Sequence, residues 1–456
     1  MKKLLDVIVN FLKKDRTIAD LNPNLESKLA VITEGNINKV VMNSEKIESG
    51  DLFFAINNGN NYVIDALEKS AFLIVCDRVQ PVHSDRIIYV EDTVKFMQQI
   101  ANLYRKEAKF NIIGITGSNG KTTTKDILYS ILSEKYKVEK TQGNYNNHIG
   151  LPFTILSTKS EIEYLILEMG MSDLKEIDLL CKISEPDYAI ITNIGLSHME
   201  ILKTKENVFK AKTEMLQYVE KENTFLSGDD EYLVNVPGNK IGFNSNMKEE
   251  IGCKNYIIRD FKQTENGIEF SLNNEHFVVD INGEYNANNC GICIALGEKI
   301  GLSVKNIRDG LKNLTITPMR FQKLYWNNMV VVNDAYNASP ISMELGLKSF
   351  YKIYKDKYKI AVLGDMLELG DKEIEYHEDT LKLALELGYD EIIIYGSRMK
   401  KALERLKNKC ANAERILFLG EKEEIKRKIL SNKTEEAVLF LKGSRGMKLE
   451  EILMQS

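Results

Sequence analysis

Residues 114–123 read Gly-Ile-Thr-Gly-Ser-Asn-Gly-Lys-Thr-Thr and constrain the fold of this chain more than any other segment. They follow the apolar pair Ile112 and Ile113 and precede an apolar-periodic stretch over residues 127–132. This order predicts a β-strand, a glycine-rich loop and an α-helix. Ile115 stands where the standard phosphate-loop pattern has its first glycine, which weakens the match to that pattern.

The loop is predicted to bind a nucleoside triphosphate. Backbone N–H groups at glycines approach phosphate oxygens closely, and a helix N-terminus adds positive potential. Lys121 is placed to reach the terminal phosphates, and Thr122 is placed to ligate Mg²⁺. The predicted phosphate-binding residues are Gly117, Ser118, Asn119, Gly120, Lys121, Thr122 and Thr123.

Length and pattern predict an α/β fold in three domains, because 456 residues at roughly 150 per domain exceed one core. Residues 1–108 alternate short apolar strands with helices and form a small module. Residues 109–317 carry the phosphate loop and a predicted parallel sheet, with an antiparallel edge expected within 223–279. Residues 318–456 are typical of a Rossmann-like, doubly wound domain.

Composition limits the partners and the cellular location that the chain is expected to have. A net charge of -5 gives no electrostatic reason to expect nucleic acid as a partner. No sequence segment is long and apolar enough to predict a membrane span. The pair Cys290 and Cys293 has no second pair to complete a zinc site, so both are predicted to lie in a helix core. A reducing cytoplasm and a monomeric chain are the expectations.

Two side chains follow apolar strands that are predicted to end beside the phosphate loop. Glu168 ends the strand-like segment 164–168, and His198 follows the segment 188–192. Carboxyl ends of parallel strands share one sheet edge, where a carboxylate could bind Mg²⁺ and a histidine could bind a metal. The alternatives are a solvated strand-end glutamate and a structural histidine.

Further candidates lie outside the phosphate loop. The segment 286–289 is predicted to cap a helix, or else to present asparagine amides to an adenine edge. Arg320, just after Pro318, and Asp334 at a strand end are predicted to reach nucleotide or substrate across a cleft. Lys212 looks like an ordinary surface lysine on a helix.

The order of the motifs resembles the Mur ligase family. The matching segments are residues 116–124, 143–152, 168–170, 192–195, 211–212, 286–289, 336–340, 363–370 and 442–446. Segments 336–340 and 363–370 resemble the branch that joins D-alanyl-D-alanine to a UDP-N-acetylmuramoyl-tripeptide. The resemblance implies an ATP-dependent amide ligase that works through an acyl phosphate and makes a peptidoglycan precursor from small-molecule substrates.

The resemblance also implies roles for individual residues. Lys121 would hold the β- and γ-phosphates, Thr122 and Glu168 one Mg²⁺, and Glu168 with His198 a second Mg²⁺. Lys212 would carry a carbamate, whose oxygens suit a magnesium site better than an ammonium does. The remaining implied contacts are Asn289 at adenine, Arg320 at the γ-phosphate, Asp334 at ribose, Asn146 and Asn147 toward the muramyl substrate, Tyr336 and Asn337 at nucleotide or dipeptide, and Ser44 at the uridine nucleotide.

The sequence departs from the family in two places. Asn333-Asp334 replaces a usual pair of aspartates, and Asn43-Ser44-Glu45 replaces Asp-Ser-Arg in the module that would bind the uridine nucleotide. The departures place the substrate in more doubt than the ATP chemistry. The alternatives are a related ligase for another carboxylate, such as a folate polyglutamate or a cofactor amide, a phosphate-loop kinase, and a non-catalytic nucleotide-gated protein. The last of these would be expected to lose Lys121, Glu168 or His198, and all three are present.

Overall fold

A computed structural model describes residues 1–432 and 436–454, whose strands form three sheets. The strands are β1 Val40–Val41, β2 Leu52–Ala55, β3 Leu73–Cys76, β4 Ile87–Tyr89, β5 Asn111–Thr116, β6 Val138–Lys140, β7 Tyr164–Glu168, β8 Tyr188–Ile191, β9 Thr224–Ser227, β10 Asn239–Gly242, β11 Asn255–Thr264, β12 Gly267–Leu272, β13 Glu275–Val279, β14 Gln322–Trp326, β15 Met329–Asn333, β16 Tyr358–Gly364, β17 Glu391–Tyr395, β18 Ile416–Phe418 and β19 Ala437–Lys442.

Helices flank these sheets. They are α1 Lys2–Lys14, α2 Arg16–Leu21, α3 Leu25–Glu34, α4 Val63–Glu68, α5 Thr93–Ala108, α6 Lys121–Ser133, α7 Gly150–Ser157, α8 Glu176–Ser184, α9 Met199–Leu202, α10 Lys205–Thr213, α11 Glu284–Ile300, α12 Val304–Lys312, α13 Pro340–Ile353, α14 Glu373–Leu387, α15 Ser397–Lys407 and α16 Lys422–Leu430. None of these helices is both long and apolar enough to cross a bilayer.

The first sheet is small and parallel, in the order β1-β2-β3-β4. Three helices, α1 to α3, precede its first strand. Helix α5 leaves this sheet and packs on α7 and α8 of the next layer, where the Tyr104 hydroxyl donates to the Thr158 carbonyl over 2.8 Å. A single apolar cluster includes both Leu4 of α1 and Leu167 of β7. The first module therefore shares a hydrophobic core with the central one.

The central sheet has nine strands in the order β13-β12-β11-β10-β9-β8-β5-β7-β6. The antiparallel edge expected over residues 223–279 is wrong for β9 and β10, which pair in parallel, and right for β11 to β13. The burial of the strands explains the difference. β9 and β10 are buried at every position, as parallel strands covered on both faces are, whereas β13 alternates between buried and more exposed positions.

The third sheet has the order β14-β15-β19-β16-β17-β18 and is parallel except for β14, which pairs antiparallel with β15. Its pattern of strands and helices confirms the predicted doubly wound fold. The predicted helical pair Cys290 and Cys293 also lies buried, on α11.

His377 buttresses the loop that follows β16 and is completely buried on α14. Its Nε2 accepts a hydrogen bond from the Met366 N–H over 2.8 Å, so Nδ1 carries the proton and donates to the Glu373 carbonyl over 2.6 Å. This arrangement requires a neutral imidazole. Burial lowers the pKa of His377 below its ordinary value.

We expect His377 to make the protein less stable in acid. Because its pKa is lowered in the folded state, the unfolded chain takes up the proton first, and stability falls as the pH drops below about 6.5. The loss should approach about 1.4 kcal/mol per pH unit from this group. Urea unfolding between pH 5.5 and 7.5 measures it. His377→Gln should flatten the dependence, His83→Gln at an exposed position is the control, and an unchanged slope in His377→Gln would contradict the assignment.

Candidate active site

The loops that follow β5, β7 and β8 open into a cavity of about 970 Å³ between the central and third sheets. Parallel strands bring their carboxyl ends to one edge, so segments distant in sequence converge there. Of the residues predicted from sequence, all line this cavity except Gly117, Ser44 and Lys212. Those that line it are Ser118, Asn119, Gly120, Lys121, Thr122, Thr123, Asn146, Asn147, Glu168, His198, Asn289, Arg320, Asp334, Tyr336 and Asn337.

The phosphate loop has the predicted strand-loop-helix geometry, with Gly120 as the residue before α6. Gly120 has a φ of 84°, and a Cβ there would lie 3.0 Å from the Asn289 amide oxygen, so the site requires glycine. The Lys121 ammonium donates to the Gly117 carbonyl over 2.7 Å. Burial lowers the pKa of Lys121, although the charge of Glu168 opposes this. Phosphate oxygens would supply an anionic partner for the partly buried ammonium.

A second loop braces the phosphate loop from the side of β8. The Thr192 hydroxyl donates to the Asn119 carbonyl over 2.6 Å, and the Asn193 amide donates to the same oxygen over 2.9 Å. The Asn193 side-chain oxygen accepts from the Asn119 N–H over 3.0 Å. The Asn119 amide nitrogen is buried and has no partner among the described residues, so it remains available to a ligand.

Glu168 lies at the end of β7 and faces the phosphate loop. One of its oxygens accepts from the Thr122 hydroxyl over 3.0 Å, and the other accepts from the Asn146 amide over 3.1 Å. The Lys125 ammonium is 3.9 Å away. Glu168 and Thr122 thus come together as predicted. Asn146, which was predicted to face the muramyl substrate, lines the cavity and also donates to Glu168.

The Thr122 and Glu168 oxygens fit a Mg²⁺ site. Magnesium prefers oxygen ligands and in phosphate sites is held by one or two protein groups together with phosphates and water. Within residues 1–432 and 436–454, no cluster of three or more His, Cys, Asp or Glu side chains could hold a metal alone. This donor set is therefore suited to a nucleotide-bound Mg²⁺ rather than to an independent metal centre.

His198 has a left-handed backbone conformation, with a φ of 53°, just before α9. Its Nδ1 lies 2.9 Å from an oxygen of Glu368, which follows β16 in the third sheet. The hydrogen bond from His198 holds the pKa of Glu368 below its usual value. This pairing joins the central and third sheets at the rim of the cavity and leaves Nε2 as the nitrogen available to a metal.

Lys212 lies on α10 and is 2% exposed, so the surface position that the local pattern alone favours is wrong, and the functional role implied by the resemblance stays a prediction. Burial and the nearby charge of Lys121 hold the pKa of Lys212 well below its ordinary value. The ion pairs found among residues 1–432 and 436–454 do not include it. Burial of an unpaired ammonium is costly, so the side chain is neutral or chemically modified.

Arg320 reaches across the cavity to the phosphate loop. Its Nη2 donates to the Thr122 hydroxyl over 3.0 Å, and its guanidinium lies 4.0 Å from the centre of the Tyr336 ring. Its Nε is buried without a partner in the described part of the chain. Such a guanidinium can donate to a phosphate oxygen beside Lys121.

Asp334 is engaged within its own sheet. One oxygen accepts from the Phe321 N–H over 3.0 Å, and the other pairs with the Lys442 ammonium over 2.5 Å. Lys442 also lies 3.3 Å from the Asn337 carbonyl. A carboxylate oxygen can accept a further hydrogen bond, so the ribose contact of Asp334 stays a prediction.

The structure gives the segment 286–289, Asn147 and Ser44 surroundings that the sequence did not predict. The segment 286–289 does not cap α11, because the helix begins at Glu284, with Gly283 supplying the preceding turn at a φ of 100°. Asn289 instead donates to the Asn286 side chain over 2.9 Å and packs on Gly120. The Asn147 side chain accepts from the Gly150 N–H over 2.8 Å at the start of α7. Ser44 lies outside the main cavity.

Sequence reasoning did not assign roles to Glu368, Lys442 or Tyr285, which also line the cavity. Glu368 and Lys442 lie in the segments 363–370 and 442–446, whose resemblance to the family could have marked both residues as site candidates. Tyr285 precedes the asparagine segment 286–289. Burial raises the pKa of Tyr285 well above its ordinary value.

Comparison with known proteins identifies the family. Residues 115–297 match the Mur ligase middle domain, and residues 319–445 match the Mur ligase, glutamate ligase domain. The UDP-N-acetylmuramoyl-tripeptide--D-alanyl-D-alanine ligase of Bacillus subtilis (strain 168) is 34% identical over 426 residues, which cover 91% of this chain and 92% of the relative.

Solved structures agree with this match. MurF from Acinetobacter baumannii has a TM-score of 0.80 at 24% identity, covers 94% of this chain and 97% of its own, and shows the fold. MurF ligase from Thermotoga maritima in complex with ADP has a TM-score of 0.79 at 28% identity over 91% of this chain and 96% of its own. With a 34% identical relative matched over 92% of that relative's length, the chain belongs to the Mur ligase family.

Proposed function

We propose that this chain is an ATP-dependent ligase that adds D-alanyl-D-alanine to a UDP-N-acetylmuramoyl-tripeptide, giving the pentapeptide precursor, ADP and phosphate. The observation that carries the proposal is the shared cavity, in which Lys121 and the Thr122–Glu168 pair face Arg320 from the segment that leads into the third sheet. The Bacillus subtilis relative is a ligase of this name, and the match covers 91% of this chain.

The residues suit the formation of an acyl phosphate. A substrate carboxylate attacks the γ-phosphorus of ATP, and ADP leaves. The amine of the dipeptide then attacks the acyl carbon, loses a proton and displaces phosphate. Lys121 and Arg320 would stabilise negative charge on the phosphate oxygens, and the brace at Asn119 would keep the loop fixed. Mg²⁺, held by Thr122 and Glu168, would supply further charge neutralisation when bound.

Lys212 is proposed to carry a carbamate. A buried neutral amine attacks CO₂, and loss of one proton leaves an anionic –NH–COO⁻ group. The charge of Lys121 disfavours an ammonium at Lys212. The same charge would attract the anionic carbamate. Its oxygens and the Nε2 of His198 would complete a second Mg²⁺ site with Glu168. The remaining roles of Asn289, Asp334, Tyr336, Asn337, Asn146 and Asn147 are proposed as the family resemblance implies.

The uridine nucleotide is proposed to bind beside the first sheet. A second cavity of about 670 Å³ lies between that sheet and the central domain, lined by Asn43, Lys46, Lys140, Tyr145 and others. Lysines and aromatic rings suit a diphosphate and a base. Ser44 adjoins this cavity through its neighbour Asn43, which supports a substrate role for the Asn43-Ser44-Glu45 segment despite its departure from the family.

Three broader assignments are also proposals. The domain limits are proposed to be 1–108, 109–317 and 318–456, and the strands of each sheet falling within one of these ranges supports them. The protein is proposed to act as a cytoplasmic monomer on small-molecule substrates, with no nucleic acid or membrane partner.

The proposed function predicts that phosphate release depends on the dipeptide. With ATP, Mg²⁺ and UDP-muramoyl-tripeptide, the rate should rise at least tenfold on adding D-alanyl-D-alanine, since acyl transfer to the amine completes turnover. A colorimetric phosphate assay measures the rate, and mass spectrometry should show the UDP-muramoyl-pentapeptide.

A control with D-alanine in place of the dipeptide should stay near the basal rate. Turnover with a folate or cofactor carboxylate, but with no UDP-muramoyl peptide, would support the alternative ligase. Transfer of phosphate to a hydroxyl with no amide product would support a kinase. Nucleotide binding without any turnover would support a non-catalytic protein.

A further inference from the structure

Asp126 lies on α6, four residues after Thr122, and is 1% exposed. One of its oxygens accepts two hydrogen bonds from Thr317, over 2.8 Å from the N–H and 2.7 Å from the hydroxyl. The other oxygen pairs with the Lys140 ammonium over 2.6 Å. A buried carboxylate is stable only when it is paired and hydrogen-bonded, so these contacts fix Thr317 against α6.

Thr317 belongs to the linker, residues 313–321, which joins α12 to β14. The first part of the linker is attached to the central domain, since Leu314 and Ile316 pack on its core. The second part is bonded to the third domain: the Phe321 N–H donates to Asp334 over 3.0 Å, and the Met319 carbonyl accepts from the Tyr336 N–H over 3.2 Å. A change of angle between the two domains must therefore be absorbed between Thr317 and Met319.

Arg320 lies three residues beyond Thr317. The residues on either side of it, Met319 and Phe321, have φ values of 63° and 52°, which are unfavourable for side chains of this size. Surrounding contacts must hold this backbone in place. Helix α6 carries both Asp126, which fixes the linker, and Thr122, which receives the Arg320 guanidinium over 3.0 Å.

We propose that Asp126 is a positioning residue that anchors the linker at Thr317 and thereby places Arg320 at the phosphate loop. The inference rests on the proposed ATP site, because Arg320 acts on the nucleotide there. Asp126 itself acts through Thr317, which takes one of its oxygens, while the other oxygen pairs with Lys140 over 2.6 Å and lies 3.9 Å from the Lys125 ammonium. The anchor couples the angle of the third domain to the position of a cation over the phosphates.

A double-mutant cycle tests the anchor. Thr317→Val removes the hydroxyl donor and keeps the backbone N–H, and it should weaken binding of a fluorescent ATP analogue by about fivefold to tenfold. The KM for the UDP-muramoyl peptide should stay unchanged. In an Arg320→Ala background the same substitution should weaken binding less than about twofold, because the group that the anchor positions is gone. Asp126→Asn should follow the same pattern.

Ser130→Ala is the matched control. Ser130 also lies on α6 and donates to the Gly310 carbonyl of α12 over 2.7 Å. The substitution therefore removes a similar hydrogen bond that does not involve the linker. It should lower the melting temperature as Thr317→Val does and leave nucleotide affinity unchanged. Equal losses from Thr317→Val in both backgrounds, or wild-type affinity in that variant, would overturn the proposal. Absence of turnover would defeat the proposed substrate, while the binding cycle still decides on Asp126.

Discussion

Replacing Lys121 by methionine is expected to lower kcat by on the order of 10³-fold. The lysine follows Gly120 at the start of α6, and its ammonium donates to the Gly117 carbonyl over 2.7 Å. Charge moves to the β- and γ-phosphate oxygens as the acyl phosphate forms, and a fixed cation in a partly dry cavity stabilises that charge. Steady-state phosphate release at saturating ATP measures the loss.

The same variant should fold normally. Its stability should change by less than about 1 kcal/mol, because the partly buried ammonium has no anionic hydrogen-bond partner until phosphate is bound. Lys137→Met, at an exposed position before β6, is the control for charge removal and should keep wild-type kcat. Near-normal turnover in Lys121→Met would show that the loop does not bind the reacting phosphates. Loss of activity with a collapsed melting temperature would show that the lysine is structural.

Local sequence spacing was sufficient to predict the phosphate loop and the two strand-end side chains. Glycines, the lysine and the following apolar periodicity all lie within twenty residues, so short-range rules apply. Glu168 was found because parallel strands end at a common edge, and the structure brings it within 3.0 Å of Thr122. These predictions needed no knowledge of how distant segments pack.

The contacts that join the domains could not be predicted in that way. Asp126 and Thr317 are 191 positions apart, and the His198–Glu368 pair also links separate sheets. Nothing in the local pattern marks Asp126, which looks like an ordinary polar residue on an amphipathic helix. The antiparallel strand β14 was missed because its positions are only partly buried and its sequence lacks a clear apolar run.

The burial of Lys212 depends on tertiary structure for the same reason. Helix α10 has a polar, weakly amphipathic sequence, so its pattern favours an exposed lysine. Only the packing of α10 against α8 and α9 places the side chain at 2% exposure. The family resemblance predicted a functional Lys212 where spacing alone predicted a surface residue.

Lys212→Ala is expected to lower kcat by about 10²-fold to 10³-fold, and a short carboxylic acid should restore part of it. The proposed carbamate is an anion on a nitrogen, and removing the side chain leaves space beside Lys121 without that anion. Acetate or propionate carries the same two oxygens and can enter a space of this size. Phosphate release with increasing acid, at constant ionic strength, measures the recovery.

Lys210→Ala on the exposed face of α10 is the matched control and should respond to neither substitution nor acid. Rescue should saturate with acid concentration, since it depends on occupancy of one site, and a sulfonate of similar size should rescue less because its geometry differs. Full activity in Lys212→Ala would remove the residue from the reaction. Loss that no carboxylic acid repairs, in a variant of normal stability, would show that the amine itself is required and that the carbamate is absent.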